Sequence, residues 1–334
     1  MTAVYDRLQD LGLSRAYVRQ AILPSWWDDD ASLSPAGFAE ALMLISRHAG
    51  VRVADLRTGN VPFSPAGPVT TTRFKLSKGA SEEDVALAQR LATQTARVAC
   101  AGVVSSPKPV PSASEIRGAI IEGGASSVGL DSLLDYCWGE LGLPVLHVSN
   151  FPHGARKMEG LSAVVEGRPV VVISKSSKQP AWLLFILAHE IGHLSLRHIK
   201  DGEVLVDTKV ESSSSDKEES QANRFAEELL CGEAGRRFVP SGRWPNARVL
   251  AAEAQSLGRK YQIDPGHIVL NYASTMGESF FRVGNAALSF IDPAPDAIGA
   301  ISRKLDANLD WSALPEEAAE FITRMTGILP AKAA

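Results

Sequence analysis

His189, Glu190 and His193 stand as His-Glu-Ile-Gly-His directly after an apolar run, AWLLFILA at 181–188. Four residues apart on a helix of 3.6 residues per turn, the two imidazoles project from one face and can share a tetrahedral zinc ion. Glu190 lies about 100° around the axis. From there its carboxylate is too distant to be a strong ligand but can take a proton from water activated by the ion, the work of a general base. The competing reading is a core helix whose histidines are satisfied by ordinary hydrogen bonds. It would have to bury His189, Glu190 and His193 together at a large desolvation cost.

Catalytic zinc takes a third protein ligand and keeps one position open. The extended pattern H-E-x-x-H-x-x-G-x-x-H is not met, because Leu196 and Ile199 occupy its glycine and third histidine positions. His198 falls one residue early and off the ligand face. The remaining source is a carboxylate from the next helix, where Glu218 and Glu219 flank the centre of the stripe Ala222, Phe225, Ala226, Leu229 on opposite sides. Periodicity does not choose between them. Ser215 followed by Glu218 makes a capping box, which occupies Glu218 and leaves Glu219 for the metal.

These side chains need a scaffold. The first ligand helix is expected to start near Pro180 and the second, ESQANRFAEELL, to stop at Gly232. The serine-rich segment VESSSSDKEES between them reads as a flexible connector rather than a lid. Upstream, SLLDYCWGEL at 132–141 reads as a helix ending at Gly142. LPVLHVS reads as a short strand, and LSAVV and RPVVVIS as two strands joined by a tight turn at Glu166-Gly167. Residues 1–58 read as helical, with Ser34 and Pro35 opening one helix. Within them, GLSRAYVRQAIL has a helix-turn-helix look better explained by plain packing, and Trp26-Trp27 before Asp28, Asp29 and Asp30 reads as a loop or helix cap with two core anchors, with partner binding the lesser reading. NVPFSPAGPVTTTR at 60–73 reads as a linker or extended surface segment, Ser81 opens an alanine-rich helix to Cys100, and VVSSPKPVPSAS at 103–114 marks the main boundary. Helices over 246–290 break at Asp264-Pro265-Gly266. The division expected is a helical region over 1–110, a metal-binding unit over 111–235, a helical unit over 236–290 and a helical tail over 291–334.

Composition narrows the class. The chain has 334 residues, 45% hydrophobic and 22% charged, with a net charge of −4. That is an ordinary globular composition without a global basic field for nucleic acid. Three cysteines without a close pair disfavour a disulfide framework or an all-cysteine zinc cage and fit a reducing compartment. The longest apolar run is far short of the ~20 residues of a membrane span, and residues 1–20 lack the apolar core of a secretory signal. A cytoplasmic protein without membrane contact is expected.

HEIGHLSLRH, followed by Glu219-Ser220-Gln221-Ala222-Asn223-Arg224-Phe225-Ala226 and Leu229-Leu230, resembles the ImmA/IrrE family of bacterial zinc metallopeptidases. The resemblance spans roughly 130–275; Cys231-Gly232 stands where many members have Met-Pro. It implies His189, His193 and Glu219 as zinc ligands and Glu190 as base. It also implies an α+β fold, a small twisted sheet packed on a zinc-binding helix pair in the gluzincin manner, flanked by mostly helical N- and C-terminal regions. By the same resemblance the substrate is a protein regulator such as a helix-turn-helix repressor, and direct nucleic-acid binding is the lesser expectation. The substrate strand would pair with an exposed edge near Val170–Ile173. His198, Tyr261 and His267 are candidates for assisting the transition state, each also readable as structural, and Asn223 either orients a ligand or pairs with backbone. His147 and His153 lie near strand ends. The alternative in another class is a non-proteolytic regulatory or antitoxin-like binding protein with a structural or sensory zinc.

Overall fold

The computed structural model describes residues 1–57, 71–75, 82–155, 158–200, 203–207, 217–239 and 246–328. The N-terminal elements are α1 (Thr2–Gln9), α2 (Arg15–Tyr17), α3 (Pro35–Ala49), α4 (Val53–Arg57), β1 (Thr71–Lys75) and α5 (Glu82–Cys100). Then come α6 (Ala113–Glu122), α7 (Leu130–Asp135), β2 (Val145–His147), β3 (Gly160–Val165), β4 (Arg168–Ile173), α8 (Pro180–Ser195), β5 (Glu203–Asp207) and α9 (Lys217–Cys231). The remainder is helical: α10 (Ala247–Tyr261), α11 (Pro265–Met276), α12 (Phe281–Ile291), α13 (Ala297–Asn308) and α14 (Glu316–Thr326). The fold is α+β, with one mixed sheet in the order β1-β5-β3-β4-β2.

Side-chain alternation gives the sheet two buried faces. Leu161, Ala163, Val170, Val172, Val204 and Val206 point into a first core shared with the N-terminal helices. Val145, Val171, Ile173 and Leu205 point the other way, into a second core with α6, α7, α8 and α9. A third core joins α10, α11 and α12. The hairpin joining β3 and β4 turns at Glu166 (φ 51°) and Gly167 (φ 79°), both in the left-handed conformation a two-residue turn demands. α3 is capped as its sequence indicates, with the Gly37 N–H donating to Ser34 Oγ at 3.1 Å.

Several expectations are corrected. Val170–Ile173 is not an exposed edge: β4 pairs antiparallel with β3 and parallel with β2, so its backbone groups are taken on both sides. Of the segment read as a linker or extended surface stretch, residues 71–73 are extended and pair in β1, parallel to β5; 60–70 lie outside the described residues. β5 itself was not anticipated. The helix at 132–141 is regular only through Asp135 and continues as a wide turn over Tyr136–Leu141. Trp27 is buried and donates its indole N–H to Asp29, but Trp26 is exposed, so the pair supplies one anchor. Asp29 also accepts from Tyr5 and Arg15; although burial opposes it, these bonds hold its carboxyl down at about 2. Phe321, Ile322 and Met325 of α14 pack into the first core beside Leu8, Ile22 and Ile45. Ser81, Ser215 and the serine-rich 211–216 lie outside the described residues. No described helix is long and apolar enough to cross a membrane.

Candidate metal centre

α8 is buried along nearly its whole length, from Ala181 to Leu194. Pro180 at its first turn lacks the N–H that the helix start leaves unbonded anyway. Gly192 lets α9 come close: a Cβ there would lie 3.1 Å from Phe225 Cβ and 3.2 Å from Ala222 Cα. That approach brings a carboxylate of the second helix to the two imidazoles of the first.

The histidine Nε2 atoms are 3.0 Å apart. Glu219 Oε2 lies 3.4 Å from His189 Nε2, and Oε1 lies 3.4 Å from His193 Nε2. Four-coordinate zinc at ~2.0–2.1 Å from N and O ligands sets its donors ~3.3 Å apart. The donor set is therefore of the right chemistry and near the right spacing for that ion. All three side chains are buried, and they form the one such cluster among the described residues. Glu218, its rival by helical wheel, is only half-buried and lies outside the cluster.

The other ring nitrogens are engaged. His189 Nδ1–H donates to Asn223 Oδ1 at 3.0 Å, which leaves the Nε2 lone pair facing the cluster. Asn223 thus meets a histidine side chain. His193 Nδ1 and His198 Nδ1 are 2.9 Å apart, and His198 Nε2 is 3.2 Å from Gln221 Oε1. His198 lies outside the donor cluster, yet touches the candidate ligand His193.

Glu190 is buried beside the pair, its side chain against β3. Ser162 Oγ–H bonds both its carboxylate Oε2 and, at 3.2 Å, its backbone oxygen. Gly160 leaves the space, since a Cβ there would lie 2.8 Å from Glu190 Cδ and closer still to Oε1. Reading from the sequence missed Gly160, Ser162 and Gln221. The one available signal was the small-residue alternation at 160 and 162 of β3, on the strand face that meets α8.

Two candidates lie elsewhere. Tyr261 ends α10, its ring under the Arg236 guanidinium at 4.5 Å and the Lys260 ammonium at 4.9 Å, away from the metal cluster. His267 is fully enclosed, stacked on Phe185 at 6.0 Å, with neither ring nitrogen hydrogen-bonded among the described residues. Burial holds it down at about 4, hence neutral. Neither touches the ligand set. His147 is buried, its Nε2 3.2 Å from Lys175 O, and His153 is exposed.

The searches of curated proteins and of solved structures return no match. The family comparison does: the IrrE N-terminal-like domain matches residues 145–254, a stretch that begins at β2 and runs past both ligand helices. Residues 145–254, about a third of the chain, are thus similar to the IrrE N-terminal-like domain, and the buried His-His-Glu set lies within that stretch, which supports placing it with the ImmA/IrrE metallopeptidases.

Proposed function

We propose that this chain is a zinc-dependent endopeptidase that cleaves a specific protein regulator, a helix-turn-helix repressor being the class the family resemblance implies. What carries the reading is the juxtaposition of three converging donors, His189, His193 and Glu219, with a separate carboxylate, Glu190, one residue along the same helix. A purely structural zinc site has no use for that second carboxylate and fills its last position with cysteine or histidine. Among the described residues no cysteine belongs to the cluster.

His189, His193 and Glu219 would hold the ion, which supplies Lewis acidity to water and to the scissile carbonyl. Glu190 takes the proton from the attacking water as its oxygen bonds to the carbonyl carbon, then passes that proton to the leaving amine as the C–N bond breaks. Ser162 fixes the carboxylate in one rotamer through Oε2, so little reorganisation remains at the moment of transfer. With β4 enclosed between β3 and β2, a substrate strand cannot add at Val170–Ile173. The outermost described strand on the β5 side is β1.

The test pairs wild type with Glu190→Gln. Both should carry about one zinc per chain, and only wild type should cut helix-turn-helix regulators from the same cell, read as fragments by mass spectrometry. A Glu190→Gln protein that still cuts removes Glu190 as base. A metal-loaded protein whose cellular effect survives Glu190→Gln favours the non-proteolytic binding alternative.

A further inference from the structure

We infer that His198 is a positioning residue for the metal centre: with Gln221 it forms a hydrogen-bond relay that fixes the tautomer and ring orientation of His193 and ties the end of α8 to α9. The inference rests on the zinc reading above and concerns how this chain makes that site, not what it cuts.

The relay runs in one direction. Gln221 Oε1 can only accept, so His198 Nε2 carries the hydrogen across the 3.2 Å contact. A neutral His198 then has a lone pair at Nδ1, and the 2.9 Å contact to His193 Nδ1 requires the hydrogen to sit on His193. With Nδ1–H so placed, His193 presents its Nε2 lone pair to the cluster, the tautomer a metal ligand needs. Asn223 performs the same service for His189. One short stretch of α9 therefore contributes a ligand, Glu219, and both acceptors that set the imidazoles of α8, Gln221 and Asn223.

The backbone is bent to make this contact. α8 ends with the His198 N–H bonded to His193 O at 3.0 Å and the Arg197 N–H to Leu194 O at 3.2 Å, the paired bonds of a Schellman turn. Its left-handed residue is Arg197 at φ 56°, where glycine is usual. This turn returns His198 over His193, five residues back, with the rings 5.1 Å apart and tilted by 64°. A lone left-handed arginine is tolerated where surrounding bonds over-determine it, and the side-chain relay is such a bond.

The experiment measures zinc affinity by chelator competition, with apo-protein circular dichroism and melting as fold controls, for wild type, His198→Ala, His198→Gln and Arg197→Gly. His198→Ala should bind zinc ~10–100-fold more weakly with apo-protein fold unchanged. His198→Gln should recover most of the affinity, because its amide oxygen can accept from His193 and its amide N–H can donate to Gln221. Arg197→Gly, which keeps the turn, should bind as wild type. In the cobalt-substituted protein the visible spectrum of His198→Ala should shift as the His193 ring loosens. Wild-type affinity in His198→Ala, or a loss that tracks unfolding of the apo-protein and is not rescued by His198→Gln, overturns the relay while leaving the metallopeptidase reading intact. A wild-type protein that binds no zinc ends both.

Discussion

Replacing Gly160 by alanine adds one methyl group to β3, and its consequences can be followed from the coordinates. The added Cβ falls 2.8 Å from Glu190 Cδ, closer still to Oε1, and 3.0 Å from Ile186 Cγ2. Carbon atoms rest at ~3.5–4.0 Å, so the carboxylate must retreat by about 1 Å. Ile186 is core, and the strand is paired to β4 and β5, so the carboxylate is the part that gives. Moving it weakens the Ser162 bond, and overpacking of this kind costs about 1–3 kcal/mol. The effect on catalysis is larger, since a 1 Å misplacement of a reacting group is worth on the order of 100-fold in rate. His189, His193 and Glu219 point elsewhere and are untouched by the methyl. Gly160→Ala should therefore retain zinc, melt slightly lower than wild type and cleave about 100-fold more slowly. The assay sets initial cleavage rates, on the regulator or a peptide library, beside zinc content and a thermal melt. A Gly160→Ala protein with bound zinc and undiminished cleavage would refute the placement of Glu190 as base in the position described.

Other consequences concern packing, acid and metal. Gly192→Ala sets a methyl 3.1 Å from Phe225 Cβ and against Ala222 backbone, prying α9 from α8; stability should fall by about 1–3 kcal/mol and zinc affinity should fall with it, both read by melting with and without metal. His48 and His267 are each held down at about 4 by burial, below their ordinary 6.5. Because the unfolded chain takes up those protons first, stability is full above pH 6.5, declines as pH falls from 6.5 towards 4, and loses ~3 kcal/mol per histidine over that window. His267→Phe, which keeps the stack on Phe185, should flatten half of that decline in denaturant titrations across pH; an unchanged slope would refute it. Chelation should lower the melting temperature reversibly, since zinc at 100 times its Kd stabilises the native state by ~2.7 kcal/mol.

The chemistry was legible because it is local. Two histidines four apart mark a candidate metal face from helical geometry alone, and the structure brings His189 and His193 together with Glu219. Glu219 was separable from Glu218 only through a cap argument resting on Ser215, outside the described residues; in the structure Glu219 lies in the cluster and Glu218 does not. The hairpin at Glu166-Gly167 was legible for the same local reason. The edge near Val170–Ile173 was misread because strand order is not local: nothing in RPVVVIS says that β2 pairs along its other side. β5 was missed because EVLVD is five residues in a polar stretch and is stabilised by its neighbours rather than by its own pattern.

The sequence by itself determined which atoms can bind a metal, because helix periodicity converts spacing into direction without reference to the rest of the chain. Only the tertiary structure decided what holds those atoms. The acceptors behind His189 and His193, and the glycine and serine that seat Glu190, come from α9, a left-handed turn and β3. Their contacts depend on how close two helices and a strand approach, a quantity set by packing and not by spacing along the chain.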